Sequence, residues 1–471
     1  MFEFDVVIGL EVHVQLKTRS KIFCCCPTEF NSPVNTNICP VCCGYPGVLP
    51  VFNEKALDLG TRVGLALNCK INNRIYFERK NYFYPDLPKG YQISQYKRPL
   101  GEEGNLLLNS GKKIGITRVH LEEDAGKSIH KQDYSLVDLN RTGTPLLEIV
   151  SEPDISNPQE AFDYLTQLKL ILQYIDASDC DMEKGFLRCD ANISLKRKGE
   201  TKLGTRVELK NMNSFKGVRD GLMHEVKRQK KVLEQGQKIA QETRLWDENK
   251  CITVVMRTKE EACDYRYFPE PDLLDFCISK ERIEKEKKNV CELPLVKKER
   301  FLKDYKLPEK EIDIIISNRV LADFFESSCN EYDDIKKMTG FFLGPFLEQI
   351  NLLGTIEAIK ISPGNFAKIV RYFAQGKINN LSAKKVLSSA IATDKDIDEL
   401  IASRGLVQVS GEDELFAFIK EAIDGNPKAV SEYKGGKQQA IMFLVGCVMK
   451  KTKGKANPKV VKEMLQKALC Q

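Results

Sequence analysis

The amino-acid sequence predicts an α+β protein, with a largely antiparallel sheet and helices in its N-terminal part and helices alone in its C-terminal part. To about residue 290 the chain is rich in alternating β-branched residues and in turns that contain glycine or proline. After a charged passage, KERIEKEKKNVCELPLVKKERFLKDYKLPEKE, the composition becomes typical of helices. Strands mixed with a few long helices, without regular βαβ alternation, indicate the α+β class.

Two helices are predicted within the N-terminal part. One begins at Asn157-Pro158, where an N-cap residue precedes proline at the first helical position. Apolar residues at helical spacing mark its buried face: Ala161, Leu165, Leu168, Leu172 and Ile175. The other helix runs from about Phe215 to Gln235 and ends at Gly236.

The C-terminal part divides into two helical stretches. Several short amphipathic helices are predicted between Ile312 and about Thr393, and a compact helical module follows from Asp394 to Gln471. Within this module, Asn426-Pro427 and Asn457-Pro458 each supply an N-cap followed by proline.

The composition is typical of a soluble globular protein with two or three domains. The chain has 471 residues, of which 42% are hydrophobic and 29% charged, and its formal net charge is +6. This charge is compatible with nucleic-acid binding without proving it. The segment MFEFDVVIGLEVHVQL lacks the pattern of a signal or transit peptide, and no apolar stretch reaches membrane-spanning length. We therefore expect a cytoplasmic protein with no membrane partner.

Three predicted strands carry apolar residues on one face and chemically active residues on the other, because side chains alternate across a sheet. From Asp5 to Leu16 the outward set includes Glu11, His13 and Gln15; from Phe186 to Leu195 it is Arg188, Asp190, Asn192 and Ser194; from Arg206 to Lys210 it is Arg206, Glu208 and Lys210. The linker KRKGETKLG favours a hairpin that brings the second and third sets onto one surface.

Two further segments add acids with less regular alternation. ITRVHLEEDAGKS contains Glu122, Glu123 and Asp124, and LVDLNRTGTPLLEIV contains Asp138, Asn140, Arg141 and Glu148. One interpretation is an ordinary solvated sheet face, which collects charges. The other, favoured by the five segments together, is a site of phosphoryl transfer, in which carboxylates hold Mg²⁺ and basic residues neutralise nucleotide phosphates. Because neither a Walker motif nor a G-x-G-x-x-G fingerprint occurs, we expect ATP to bind on the sheet surface.

Six cysteines cluster in the segment FCCCPTEFNSPVNTNICPVCCGYPG. Two close pairs, Cys24-x-Cys26 and Cys39-x-x-Cys42, are separated by a turn-rich loop, which is typical of small knuckles that hold tetrahedral Zn²⁺. Cys25 and Cys43 are spare and could replace a neighbour. The alternative is a set of reduced thiols without a metal. With four protein ligands a zinc site would be structural and not catalytic.

Nine motifs carry a resemblance to a known family. They are VIGLEVHVQL, NTNICPVCCGYPGVLP, RKNYFYPDLPKGYQIS, HLEEDAGKS, YSLVDLNRTGTPLLEIVSEPD, LRCDANISL, ELKNMNSF, DYRYFPEPDL and, near the C-terminus, FLVGCVMKKTKGKANP. In this order they resemble GatB, the B subunit of the aspartyl/glutamyl-tRNA(Asn/Gln) amidotransferase GatCAB, nearly from end to end. The resemblance implies a catalytic cradle domain at 1–292 with a zinc knuckle at 24–42, a helical domain at 293–401 and a YqeY-like helical tail at 402–471.

The resemblance also implies an activity, that of a glutamine-hydrolysing tRNA-dependent ligase. The protein would work in a heterotrimer with an amidase subunit, which releases ammonia, and with a small third subunit. With ATP and Mg²⁺ it would phosphorylate the side-chain carboxylate of Glu on Glu-tRNA(Gln), of Asp on Asp-tRNA(Asn), or of both. Ammonia arriving through a channel would then attack the acyl phosphate and give Gln-tRNA(Gln) or Asn-tRNA(Asn).

The resemblance implies roles for single residues as well. Glu11, His13, Glu123 and Glu148 are the expected Mg²⁺ ligands. The choice of Glu123 rests on the resemblance alone, because alternation turns this side chain toward the apolar face unless a β-bulge intervenes. Asp190 and Glu208 are the expected catalytic acids, and the expected nucleotide-binding residues are Arg188, Asn192, Arg206 and Lys210. The expected zinc ligands are Cys24, Cys26, Cys39 and Cys42. Lys80 and Lys89 are expected either to neutralise phosphate or to lie at the channel mouth. A solvated turn lysine is the alternative for Lys80.

The tail is expected to bind the body of the tRNA. Its lysines could contact phosphates without sequence preference, or could simply keep the surface soluble. These lysines are Lys434, Lys437, Lys450, Lys451, Lys453, Lys455 and Lys459. Two other functions remain open at this point. One is a self-contained ATP-dependent carboxylate–amine ligase that acts on a free amino acid, and the other is a non-catalytic, zinc-bearing tRNA-binding scaffold.

Overall fold

The computed structural model describes residues 3–258, 265–393, 395–404, 412–452, 456 and 458–469. The chain divides into two compact units, Met1–Lys297 and Lys298–Gln471. The strands lie in the first unit and the second unit is helical, which confirms the predicted α+β class.

The strands of the first unit are β1 (Phe4–Gln15), β2 (Lys70–Ile71), β3 (Arg74–Ile75), β4 (Glu78–Asn81), β5 (Tyr91–Ser94), β6 (Gly101–Leu107), β7 (Lys113–Glu123), β8 (Lys127–His130), β9 (Ser135–Asp138), β10 (Pro145–Ser151), β11 (Leu187–Arg197), β12 (Val207–Lys210), β13 (Glu242–Asp247), β14 (Ile252–Thr258), β15 (Arg266–Pro269) and β16 (Phe276–Cys277). Its helices are α1 (Glu54–Ala66), α2 (Pro158–Tyr174), α3 (Phe215–Glu234) and α4 (Lys280–Asn289), and α5 (Pro294–Tyr305) leads into the second unit.

Nine of the described strands form one large sheet in the order β14-β13-β12-β11-β1-β10-β7-β6-β2. Neighbours in it are antiparallel except for β12 and β13, which run parallel. The first strand, β1, lies between β11 and β10, and the register places Glu11 opposite Asp190 and His13 opposite Glu148. The three strands predicted from alternation are therefore β1, β11 and β12, and their polar sets share one face.

The opposite face of this sheet packs on helices. Leu10, Val12 and Val14 of β1 are at most 1% exposed and belong to one apolar core with residues of α1, α2 and α3. Helix α2 begins as predicted, since the Asn157 side chain accepts a hydrogen bond of 2.9 Å from the Glu160 N–H. Burial of apolar side chains on one face leaves the other face of the sheet available for polar groups.

Three small sheets flank the large one, in the orders β15-β4-β5, β16-β3 and β8-β9. The sheet β15-β4-β5 brings the strand that carries Lys80 next to the strand that carries Tyr267. The cysteine-rich segment lies in the connection between β1 and α1.

The second unit contains the remaining helices: α6 (Glu309–Ile315), α7 (Arg319–Glu331), α8 (Ile335–Phe341), α9 (Leu347–Leu353), α10 (Pro363–Ala374), α11 (Asn380–Ala390), α12 (Ile397–Ser403), α13 (Glu412–Asp424), α14 (Pro427–Lys434), α15 (Ala440–Lys451) and α16 (Pro458–Leu469). A π-helical turn, Phe342–Phe346, joins α8 to α9, and a 3₁₀ turn, Ile356–Ala358, precedes α10. Two apolar clusters hold these helices together, one from Phe301 to Ile401 and one from Leu415 to Leu469.

The predicted helix starts at the two Asn-Pro pairs differ in detail. Helix α14 starts at Pro427, but the Asn426 side chain does not cap it and donates instead to the Ala422 carbonyl at 2.8 Å. Helix α16 starts at Pro458, while Asn457 lies outside the described residues. Within the described part of the chain, no helix has both the length and the apolar character needed to cross a membrane.

Candidate active site and cysteine cluster

The polar face of the large sheet forms one side of a cleft of about 430 Å³. Strands β1, β10, β11 and β12 supply acids, a histidine and basic residues to it because their outward positions are in register. Eight of the residues predicted from the sequence line this cleft: Glu11, His13, Lys80, Glu148, Asp190, Arg206, Glu208 and Lys210.

A histidine–carboxylate cluster lines the cleft. Ligand atoms of His13, Glu122 and Glu148 all lie within 4.8 Å of one another. The His13 Nε2 atom is 3.5 Å from Glu122 Oε1 and 3.4 Å from Glu148 Oε2. A second histidine, His120, approaches Glu148 Oε2 with its Nε2 atom at 3.1 Å. Two carboxylates this close can share a divalent cation, for which their oxygens are suitable ligands.

Charge dominates the protonation of this cluster. Burial alone would lower the pKa of His13, but the hydrogen bond and charge of Glu148 and the charge of Glu122 raise it to about 9. Burial opposes ionisation of Glu148, yet the charge of His120 and the hydrogen bonds from both imidazoles hold the pKa of this carboxyl well below its usual range. Burial and the negative charge of Glu148 raise the pKa of Glu11. The cluster thus carries ionised carboxylates next to a protonated His13 imidazole, whose positive charge a bound cation would replace.

The second group of acids in the cleft surrounds Lys210. The Lys210 ammonium is ion-paired with Asp190 and lies 3.0 Å from Glu208 Oε1. Burial would lower the pKa of Lys210, but the charges of Asp190 and Glu208 raise it. From the neighbouring parallel strand, the Thr243 hydroxyl donates to Glu208 Oε2 at 2.8 Å. Lys210 is therefore held as a fixed cation beside two carboxylates, a suitable position for binding a phosphate group.

Glu123 does not lie with the histidine–carboxylate cluster. Strands β7 and β10 pair without interruption from Val119 to Glu123, so the bulge that would turn Glu123 toward the cleft is missing from this fully described stretch. Its carboxylate is ion-paired with Lys89 instead and accepts a 2.8 Å hydrogen bond from the Ile93 N–H. Strict alternation places Glu122 on the cleft side.

Lys80 and Lys89 lie in different cavities. Lys80 lines the cleft, where its ammonium lies 4.6 Å from the ring centre of Tyr265 and 5.8 Å from that of Tyr82. Lys89 and Glu123 line a separate cavity of about 220 Å³ together with Cys24 and Cys42. The alternative of a solvated turn lysine does not describe Lys80, since the residue lies on β4 and its ammonium faces aromatic rings.

The four predicted zinc ligands form a compact group. Sulfur atoms of Cys24, Cys26, Cys39 and Cys42 all lie within 4.8 Å of one another, and those of Cys39 and Cys42 are 3.9 Å apart. Sulfurs of a ZnS₄ tetrahedron with ~2.3 Å bonds lie about 3.8 Å apart, so the residues fit the metal. Hydrogen bonds from Cys24 and from the Cys39 N–H, together with the charge of Lys21, lower the pKa of the Cys42 thiol and so favour its thiolate. Such a thiolate is the form that binds metal.

The cysteine cluster is attached to the loop between β9 and β10. The Asn37 N–H donates to Asn140 Oδ1 at 2.8 Å, and the Asn140 amide donates to the Pro33 carbonyl at 2.7 Å. From the same loop, the Arg141 guanidinium bonds to the carbonyls of Ala125 and Gly126 at 3.0 and 2.6 Å. Asn140 and Arg141, which the sequence grouped with the acids of the sheet, thus support the knuckle and the β7–β8 turn.

Comparison with known proteins identifies the family. A family model described as the GatB/GatE catalytic domain matches residues 6–284, and another described as a GatB domain matches residues 323–469. The chain belongs to the GatB/GatE family. This confirms the resemblance on which the residue assignments were based.

Curated relatives that are named as the B subunit of aspartyl/glutamyl-tRNA(Asn/Gln) amidotransferase match this GatB-family chain over nearly its full length. The relative from Thermoanaerobacter pseudethanolicus is 50% identical over 472 residues, covering 99% of each chain. The relative from Carboxydothermus hydrogenoformans is 47% identical over 478 residues, covering 100% of this chain and 99% of its own. The relative from Persephonella marina is 48% identical over 472 residues, covering 99% of this chain and 100% of its own.

Two of the predicted nucleotide-binding residues of this GatB-family chain contact other groups. Arg188 does not line the cleft; its guanidinium donates to Asp124 Oδ2 at 2.6 Å, and the charge of Asp124 raises the pKa of Arg188. Asn192 donates to Glu11 Oε1 at 2.9 Å and so orients this acid. Both residues border the site without entering the cleft.

Several residues of the cleft were not singled out in the sequence. His120 and Arg118 lie on β7 at two-residue intervals from Glu122, so the alternation in TRVHLEED was a usable signal for them. Tyr96 and Tyr267, which stack with ring centres 4.6 Å apart, also line the cleft, and Thr243 reaches it from β13. No local pattern indicates these last three, because they come from elements far apart in the chain.

The tail lysines that the structure describes are all exposed: Lys434, Lys437, Lys450, Lys451 and Lys459. Two of them face acids, with Lys451 at 2.6 Å from Glu421 and Lys437 at 3.7 Å from Glu432. Lys453 and Lys455 lie outside the described residues.

Proposed function

We propose that this chain uses ATP and Mg²⁺ to phosphorylate the side-chain carboxylate of Glu on Glu-tRNA(Gln), of Asp on Asp-tRNA(Asn), or of both. The proposal rests on family membership and on one observation: a single cleft gathers a histidine–carboxylate cluster and a lysine held between two acids. The relatives are named for the corresponding aspartyl and glutamyl tRNA substrates.

Glu122, Glu148 and His13 would hold the Mg²⁺, with Glu122 in the place expected for Glu123. Glu11, also expected as a ligand, lines the same cleft but does not belong to this group of close ligand atoms. Bound there, the ion would neutralise charge on the transferred phosphate. Their donor atoms, within 4.8 Å of one another, fit an ion of this kind, whose ligands are mainly oxygens.

Lys210, Arg206 and Lys80 would bind the phosphates of ATP. A carboxylate oxygen of the tRNA-bound amino acid would attack the γ-phosphorus, while the bond to the β-phosphate oxygen breaks and ADP leaves. Asp190 and Glu208 would position Lys210 and the substrate. The fixed cations suit this step because phosphoryl transfer is catalysed mainly by positioning and by charge stabilisation.

Ammonia would complete the reaction by attacking the acyl carbon, after which phosphate leaves and the new amide loses a proton. The second cavity supports a route for ammonia, since Lys89 and Glu123 line it away from the cleft that holds the cations for phosphate. Lys80 would therefore serve the phosphates and Lys89 the channel. Water exclusion along such a route keeps ammonia from being diverted.

The remaining parts of the chain would serve assembly and tRNA binding. The four cysteines would hold a structural Zn²⁺, and the partners in the cytoplasm would be the amidase and the small third member of the heterotrimer. We propose three domains, at 1–292, 293–401 and 402–471, with the exposed lysines of the last one binding the tRNA body through its phosphates.

The test separates phosphorylation from ammonia release in the assembled heterotrimer. Glu11→Gln should abolish ADP formation with Glu-tRNA(Gln) and leave glutamine hydrolysis largely unchanged. Asp5→Asn is the matched control, because Asp5 lies on the same strand, pairs with Lys196 at 4.0 Å and does not line the cleft. Equal loss of both activities in Glu11→Gln would assign this residue a structural role. ADP formation with free glutamate alone would instead support a self-contained ligase. ADP formation that is unchanged in Glu11→Gln would support a non-catalytic scaffold.

A further inference from the structure

The side chain of Lys21 is fully buried next to the cysteine cluster. Its exposure is 0%, and its ammonium donates to the Asn37 carbonyl at 2.7 Å, to the Leu139 carbonyl at 3.4 Å and to Cys42 Sγ at 3.5 Å. An ammonium has three N–H donors, so these three acceptors use all of them. Lys21 is therefore held in one orientation with a proton directed at a sulfur atom.

Among the described residues, no carboxylate is ion-paired with the Lys21 ammonium. Within the described ranges, the contacts of the Lys21 ammonium are two neutral carbonyls and the sulfur of Cys42. Lysine is rarely buried completely unless it is paired with an opposite charge. Of these three partners, only a cysteine sulfur is able to carry a negative charge, which it does as a thiolate.

Gly143 of the β9–β10 loop lies beside both Lys21 and Cys42. A Cβ atom added to Gly143 would lie 3.5 Å from Lys21 Cδ and 3.7 Å from Cys42 Cβ, which are ordinary van der Waals distances, and 3.9 Å from Glu123 Oε2. The Glu123 carboxylate is ion-paired with Lys89. This acid near the lysine is therefore already matched by another cation.

We propose that Lys21 is the counter-charge of the cysteine site, so that the site is built for a divalent metal bound by four thiolates. This inference rests on the proposed structural Zn²⁺. Four thiolates around a divalent ion leave two net negative charges, and a contacting ammonium reduces them to one. The same ammonium ties Cys42 and Asn37 of the knuckle to Leu139 of the loop. Lys21 is thus a positioning residue for the metal site and binds no metal itself.

The charge of Lys21 can be separated from its volume by three substitutions. Lys21→Met keeps most of the volume without a charge, Lys21→Gln keeps a polar donor without a charge, and Lys21→Arg keeps the charge. Outer-shell partners of metal ligands typically change metal affinity by about 10–100-fold. We expect Lys21→Met and Lys21→Gln to weaken zinc binding by about that factor, and Lys21→Arg to stay within roughly threefold of the parent protein.

Zinc affinity and the rate of zinc loss are measured in the full chain by competition with a chromogenic chelator. The absorption spectrum of the Co²⁺-substituted protein checks that four sulfurs bind the metal. Lys17→Met is the matched control, since Lys17 is half exposed and pairs with Asp176 and Asp179. Thermal melts with and without zinc guard against simple misfolding: the loss in melting temperature caused by Lys21→Met should be larger with zinc than without it.

Three results would overturn the inference. The first is a zinc affinity in Lys21→Met and Lys21→Gln that equals that of the parent protein. The second is a loss of zinc affinity in Lys21→Arg as large as in Lys21→Met, which would show that the volume of the side chain matters and its charge does not. The third is a parent chain that binds no zinc, which would remove the zinc assignment as well. Phosphorylation of the tRNA-bound carboxylate is a separate readout, so each of these failures can be distinguished from failure of the proposed activity.

Discussion

The neighbouring acids Glu122 and Glu123 lie on opposite sides of β7, and this predicts different effects of two isosteric substitutions. Glu122 lies with His13 and Glu148 in the cleft, whereas Glu123 pairs with Lys89 in the other cavity. Glu122→Gln should therefore raise the Mg²⁺ concentration that gives half-maximal ADP formation by about tenfold or more. Glu123→Gln should leave that concentration within roughly twofold of the parent value.

The effect of Glu123→Gln should appear in stability instead. The side chains of Lys89 and Glu123 are only 9% and 2% exposed. Removing one member of a buried ion pair costs about 3–5 kcal/mol, because the other charge stays buried without its partner. At about 2 °C per kcal/mol for a unit of this size, the melting temperature should fall by about 6–10 °C. The glutamine side chain can still accept the hydrogen bond from the Ile93 N–H, so the loss of stability measures the contribution of the Glu123 charge.

The double variant Lys89→Met/Glu123→Gln is the control, because it removes both charges and should recover roughly half or more of the lost stability. Mg²⁺ titrations of ADP formation and thermal melts of the same preparations give the two readouts. A shifted Mg²⁺ requirement in Glu123→Gln, together with a normal one in Glu122→Gln, would refute the placement of Glu122 at the metal.

Further predictions concern the rest of the cleft and the tail. His13→Ala should abolish ADP formation in the assembled complex while glutamine hydrolysis continues; parallel loss of both would show that His13 supports the fold. Lys210→Met should raise the KM for ATP by at least about tenfold, since the phosphates lose a fixed cation. Because the pKa of His13 is raised on folding, its contribution to the stability of the metal-free protein is fully present below pH 6.5 and is lost as pH rises through about 9. Chemical denaturation from pH 6 to 10 should show this decline in the free energy of unfolding. Absence of the decline in His13→Gln would assign it to His13. Removing residues 402–471 should weaken tRNA binding in a filter assay with little effect on assembly, and undiminished affinity would contradict the role of the tail.

Much of the cleft could be predicted because alternation in a strand is a local property. Glu11 and His13 on β1, and Arg188 and Asp190 on β11, were assigned to outward positions from spacing alone. Which of these residues meet across strands depends on register, which is set by long-range packing. The sequence did not indicate that Glu11 lies opposite Asp190.

The residues that sequence reasoning placed less well lie where a contact from a distant segment decides the outcome. The outward position of Arg188 was predicted, but its pairing with Asp124 of the β7–β8 connection was not. Asn426 starts a helix without capping it, because its side chain bonds back to the preceding helix. Lys80 and Lys89 flank one short segment, yet they line different cavities, Lys80 from β4 and Lys89 from the turn that precedes β5.

Isotope transfer can show whether the cleft forms an acyl phosphate from the tRNA-bound carboxylate. Glu-tRNA(Gln) carrying ¹⁸O in the side-chain carboxylate would be amidated by the assembled complex with unlabelled ATP, and the released phosphate analysed by mass spectrometry. Because ammonia displaces phosphate with one carboxylate oxygen still bound to phosphorus, the proposed acyl phosphate places one ¹⁸O atom in each phosphate released. Phosphate without the label, at full yield of Gln-tRNA(Gln), would contradict it.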